Sequence, residues 1–178
     1  MRVIQAPEVY DKKDFEIACF MGGGMGNTEW HEEFFKTLNL YNRSLLVIYN
    51  PYNPNITDVR KQIKWEFNYL NNYINDHFIF SMYFDKYTDQ PISMYELGRV
   101  SVLHNSETIK LNTKLGHSSI FTRYGFPAIV SIHPEAPKKE DIKIQCELAG
   151  ILALERTPEE HADAVIREYN IIKRQMGG

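Results

Sequence analysis

Apolar residues come along this chain in short unbroken runs bounded by charge, glycine or proline, with longer stretches of helical repeat between them. Phe15 to Met21, Ser44 to Tyr49, Phe78 to Phe84 and Phe126 to His133 read as buried strands. Ile151 to Leu154 reads as a fifth. Between them, Glu29 to Leu38, Thr57 or Asp58 to about Asn72, Pro91 to about Asn105, Asp141 to Leu148 and Pro158 to Arg174 read as helices. On the second helix, Ile63, Phe67, Leu70 and Ile74 keep a helical spacing and predict its inner face. On the third, Ile92, Tyr95, Val100 and Leu103 do the same. The first 13 residues read as a polar lead-in, and residues 107–125, which have no clean period, as an insertion.

Continuous apolar strands alternating with helices predict a parallel sheet covered on both faces. With 178 residues the chain is expected to be one domain. Its core spans about 15–154, the insertion about 107–125 and the closing helix about 158–174. Such sheets bind ligands beyond the carboxyl ends of their strands. That rule gathers Gly22–Gly26, Asn50–Pro54, Asp85–Gln90 and His133–Pro134 on one rim.

Composition narrows the classes. Lys+Arg 20 against Asp+Glu 23 gives a net charge of −3, and no basic block exceeds two residues. A nucleic-acid partner is therefore not expected. No apolar run is long enough to span a bilayer, and the charged N-terminus does not read as a signal peptide. Cys19 and Cys146 have no metal spacing and fit reduced thiols in a cytoplasmic setting. The six histidines show no ligand spacing either, so no metal or cofactor is expected.

Two carboxylates stand out. Glu66 falls within about 60° of the apolar stripe of its helix, and Glu96 falls in the middle of the next helix's stripe. A carboxylate on an apolar face must be paired, lie at a rim or serve a site. For Glu66 the other reading is an ion-paired or snorkelling side chain. For Glu96 it is a capping box with Ser93, with Ile92 and Leu97 as the hydrophobic staple. The run Gly22-Gly23-Gly24-Met25-Gly26 suits a nucleoside- or phosphate-contacting loop, or simply a tight strand-to-helix turn.

Taken in order, several segments resemble the nucleoside 2-deoxyribosyltransferase family. They are Cys19-Phe20-Met21-Gly22-Gly23 with Trp30, Tyr49-Asn50-Pro51, Gln62 through Trp65-Glu66-Phe67 to Tyr69-Leu70, and Pro91 through Tyr95-Glu96-Leu97-Gly98. Asp141 to Cys146 matches more weakly. The resemblance covers roughly residues 15–150 and implies a flavodoxin-like or Rossmann-like three-layer fold around about five parallel strands. It implies Glu96 as a nucleophile and Glu66 as an acid orienting sugar or base. Gly22, Gly23 and Asn50 would line the pocket, and Tyr95 and Trp30 would pack against the substrate. Where the family carries a base-contacting aspartate six residues before the nucleophile, this chain has Gln90, with Asp89 beside it. The implied partner is a small-molecule nucleoside or nucleotide, and the implied assembly is a homo-oligomer. The expected reaction is transfer of a 2-deoxyribosyl group between bases. The alternatives are hydrolysis of the same N-glycosidic bond and a non-catalytic nucleotide-binding module.

Overall fold

The computed structural model describes residues 1–25, 27–41, 43–72, 77–104 and 127–177. The expected insertion at 107–125 and Ile74 lie outside them. Among the described residues six strands alternate with five helices. They are β1 (Arg2–Gln5), β2 (Ile17–Gly23), α1 (Glu29–Asn39), β3 (Leu46–Asn50), α2 (Val59–Asn72), β4 (Phe78–Phe84), α3 (Pro91–His104), β5 (Ala128–Ile132), α4 (Lys139–Leu148), β6 (Ala153–Glu155) and α5 (Pro158–Met176). All strand pairs are parallel, in the order β1-β3-β2-β4-β5-β6. The last five strands thus follow the flavodoxin-like order. This three-layer α/β sandwich is the expected fold class, with one strand more than the expected five.

The extra strand corrects the reading of the N-terminus. Only Ile4 of β1 is buried, so Arg2–Gln5 has no apolar run to announce it. It is an edge strand, held by its ladder to Val47–Asn50 of β3. The segment after it straps α2. The Trp65 indole N–H donates to the Glu8 carbonyl at 2.6 Å, and the Tyr10 amide donates to the Tyr69 hydroxyl at 2.8 Å.

Period-two alternation sorts the strand side chains into two cores. Phe20, Tyr49, Phe80 and Met82 meet Trp65, Tyr69, Leu97, Val100 and Ile142 of α2, α3 and α4. Cys19, Met21, Ile48 and Ile79 meet Trp30, Phe34, Leu38, Val165 and Tyr169 of α1 and α5. Across the second core, His161 of α5 bonds Ser81 of β4 at 2.8 Å and Ser131 of β5 at 2.7 Å. Burial holds its imidazole neutral, with a pKa lowered from 6.5 to about 3.

Helix starts follow local chemistry. Asp58 Oδ1 accepts from the Arg60 and Lys61 amides, and Thr157 and Glu160 form a capping box before α5. The inner faces of α2 and α3 are rotated from those the spacing predicts. Ile63, Phe67, Ile92 and Tyr95 are exposed, whereas Trp65, Glu66, Tyr69 and Leu70, and Ser93, Glu96, Leu97 and Val100, are buried. Trp and Tyr bury well once their polar tips find partners, and the strap supplies those partners to α2. No helix among the described residues is long and apolar enough to cross a membrane.

Candidate functional site

The sheet's connections leave in opposite directions from neighbouring strands β2 and β4, since β2 leads through α1 to β3 and β4 through α3 to β5. A crevice at such a switch point is where an open α/β sheet takes a ligand. Here it becomes a cavity of about 400 Å³ between the β2 loop and the N-terminal parts of α2 and α3. That volume lies within the ~300–1,000 Å³ of small-molecule sites. A larger groove of about 490 Å³ lies between α3 and α4, away from both carboxylates.

Glycines set the near wall. Gly23 has φ +148, and a side chain there would strike the Tyr83 carbonyl and the Trp30 ring. A Gly24 side chain would run into the Asp85 carboxylate. The far wall comes from Val59, Gln62, Ile63 and Glu66 of α2, and from Pro91, Ile92, Ser93 and Glu96 of α3. Met25 and Thr88–Gln90 complete it. The lining is apolar at Met25, Val59, Ile63, Pro91 and Ile92, and no Lys or Arg is among the described lining residues.

Both expected carboxylates face this cavity, each only 5% exposed. Glu66 Oε1 accepts from Gln62 Nε2 at 3.0 Å. Glu96 Oε1 is enclosed with no hydrogen-bond partner among the described residues. Its other oxygen lies 3.4 Å from where a Gly22 side chain would begin. The capping-box reading of Glu96 fails for a geometric reason. The first helical bond of α3 runs from the Met94 amide to the Gln90 carbonyl at 3.1 Å. Ser93 is therefore inside the first turn rather than at the cap position, and Ile92 is exposed rather than stapled to Leu97. Burial, then the neighbouring Glu66 charge, raises the Glu96 pKa from 4.5 to about 8, against a smaller lowering by Arg99. Burial raises Glu66 as well, partly offset by the Gln62 bond. Like charge and desolvation together oppose full ionisation of the pair.

Of the other expected residues, Gly23 and Gln90 line the cavity, and Gly22 backs Glu96. Three are placed elsewhere. Trp30 stacks on Tyr83 at 5.1 Å and donates its N–H to the Gly24 carbonyl at 2.8 Å, so it holds the loop from behind. Asn50 is buried and accepts from the Tyr52 amide at 2.9 Å, fixing the turn after β3. Tyr95 is 69% exposed and is not among the residues lining the cavity. Sequence reasoning did not single out Gln62, one turn before Glu66, and carried Asp85, the first residue after β4, only as the start of the Asp85–Gln90 rim loop. The second carries a signal in its position, because a carboxylate closing a buried strand lands on the ligand rim. His31, near the glycine loop, bonds the Gly24 carbonyl through Nε2 at 3.4 Å, and burial lowers its pKa to about 4. Among the described residues no three His, Cys, Asp or Glu side chains gather as metal ligands.

The chain matches no known family profile and no curated protein sequence.

Proposed function

We propose that the protein cleaves the N-glycosidic bond of a 2′-deoxynucleoside and transfers the 2-deoxyribosyl group to a second base. The observation that carries this reading is Glu96, a buried carboxylate without a hydrogen-bond donor on Oε1, set in the wall of a largely apolar cavity beside Glu66. A carboxylate kept free of its own backbone is available to an electrophilic carbon. The resemblance of the Tyr95-Glu96-Leu97-Gly98 helix supports the same assignment. The homo-oligomeric assembly implied by that resemblance, and the cytoplasmic setting that Cys19 and Cys146 suggest as reduced thiols, belong to the proposal too.

In the first displacement an ionised Glu96 oxygen bonds to C1′ while the C1′–N bond breaks, and the base leaves with the electron pair and takes up a proton. The oxocarbenium-like charge at C1′ favours the ionised form of Glu96, offsetting the burial that disfavours it. In the second displacement a free base attacks C1′ through a ring nitrogen and returns that nitrogen's proton to the group that protonated the first base, and Glu96 leaves as the carboxylate. Glu66, steadied by Gln62, holds hydroxyls of the sugar and keeps a proton near the pair. The walls at Val59, Ile63 and Ile92 suit the faces of a planar base. The lack of a cation in the described lining favours an uncharged nucleoside over a 5′-phosphate, which needs charge neutralisation.

The test is exchange. Incubated with 2′-deoxyadenosine and labelled adenine, the protein should carry label into the nucleoside. Glu96→Ala should lower that rate on the order of 10³-fold or more. Base release without label exchange would identify a hydrolase. Exchange at an undiminished rate in Glu96→Ala would refute the assigned nucleophile.

A further inference from the structure

No Lys or Arg lines the Glu96 cavity among the described residues, yet a cation acts on Glu96 from outside the lining. Arg99 lies one turn after Glu96 on α3. Its guanidinium carbon sits 4.3 Å from the centroid of the Phe67 ring, and Phe67 directly follows Glu66 on α2. The guanidinium thus bridges the two helices that carry the carboxylate pair. Phe67 is 53% exposed, an apolar ring left outside the core. Its place is accounted for by what it carries, because a flat guanidinium stacks on an aromatic face and gives up less hydration than an ammonium would.

Charges on the elements around Glu96 are few. Glu66 of α2 disfavours its ionised form, and Arg99 of α3 favours it. Arg60, Lys61 and Lys64 of α2 are exposed. Asp89, in the loop before α3, is held by Lys138 at 3.1 Å. Asp85, at the end of β4, accepts from the Tyr87 and Thr88 amides through Oδ1 and keeps its other oxygen beside Gly24. β2 ends in Met21-Gly22-Gly23 and brings no charge. Among the described residues Arg99 is therefore the cation that offsets Glu66 at Glu96.

Resting on the nucleoside reading above, we propose that Arg99, anchored on the Phe67 ring, is a positioning residue that acts through Glu96, supplying the counter-charge under which the nucleophile ionises without a cation in the cavity. A cation in the lining would hold the carboxylate oxygen and repel an oxocarbenium-like sugar. At one remove it favours the carboxylate and leaves Oε1 unoccupied.

The role of Arg99 is read in two ways. One is the midpoint of the Glu96 carboxyl titration, followed by carbon-13 NMR in substrate-free protein and assigned with Glu96→Gln. The other is the acid limb of kcat/KM for base release from 2′-deoxyadenosine. The wild-type midpoint is expected at about 8. Arg99→Gln should raise it by roughly half to one pH unit. That lowers kcat/KM at pH 7 on the order of 3- to 10-fold, and the loss should disappear above pH ~10. Arg99→Lys keeps the charge and should retain most of the wild-type value at pH 7. Phe67→Leu removes the ring beneath the charge and should raise the midpoint by less than Arg99→Gln does. An unmoved midpoint in Arg99→Gln, or an equal loss of rate at every pH, overturns the assignment. An unmoved midpoint in Phe67→Leu overturns the anchoring. If Arg99→Gln does not fold by circular dichroism, the Phe67→Leu midpoint alone decides. Base release by none of the proteins refutes the nucleoside reading, and the titration still decides the role of Arg99.

Discussion

Replacing Glu96 with glutamine should make the protein more stable, and more so as the pH rises. In the folded state the Glu96 pKa stands at about 8, against 4.5 for a solvated glutamate. Between those values the folded state binds more protons at this site than the unfolded state, so stability falls as pH rises. The loss begins near pH 4.5 and levels off above about 8. At about 1.36 kcal/mol per pH unit, the full cost of ionising this buried group approaches 5 kcal/mol, and about 3 kcal/mol of it is present at pH 7. Glutamine has the shape of the neutral acid and never ionises. At pH 7, Glu96→Gln should therefore melt roughly 6–12 °C above the wild type, at ~2–4 °C per kcal/mol for a chain of this size. At pH 5 the two should nearly coincide. Thermal denaturation followed by circular dichroism at pH 5, 7 and 8 checks this. Parallel curves, with a constant offset at every pH, would refute the claim that Glu96 is held protonated by its surroundings.

Three further outcomes follow from particular atoms. Gly24→Ala puts a methyl into the Asp85 carboxylate and against Gln90, and should lower the unfolding free energy by about 1–3 kcal/mol in urea titrations. Gly98→Ala meets nothing within 4 Å among the described residues and, in the body of α3, should instead gain about 0.5–1 kcal/mol. His161, with its pKa lowered to about 3, stays neutral in the fold while the unfolded chain protonates near 6.5. Its contribution is complete above pH 6.5 and is lost as pH falls toward 3. His161→Gln should flatten the decline in melting temperature over that window, and an unaltered slope would exclude His161 as its source.

The strands were legible because their signal is local. Phe78–Phe84 is seven apolar or small residues, and all seven are buried. The helix faces were not legible in the same way. Spacing favours Ile63 and Phe67 because they are the most apolar residues at the right interval, yet the interior takes Trp65 and Tyr69. What decides between them is the strap at Glu8 and Tyr10, distant in sequence from α2. Glu66 stands out as a charge beside an apolar stripe and Glu96 as one within it, and the buried faces of both helices run through them. β1 escapes notice because an edge strand with one buried residue derives its existence from its neighbour's backbone. The sheet rule alone puts Asp85 on the rim, whereas Gln62 becomes visible only when α2 closes the cavity wall.

The Gly24 carbonyl accepts from both the indole and the imidazole of α1, on the side of the sheet opposite α2 and α3. The floor of the cavity is therefore held by a helix that contributes none of the described lining residues. Substitutions in the Trp30–Phe34 layer would reshape selectivity at a distance, and any redesign of this pocket has to treat the two outer layers as one mechanical unit.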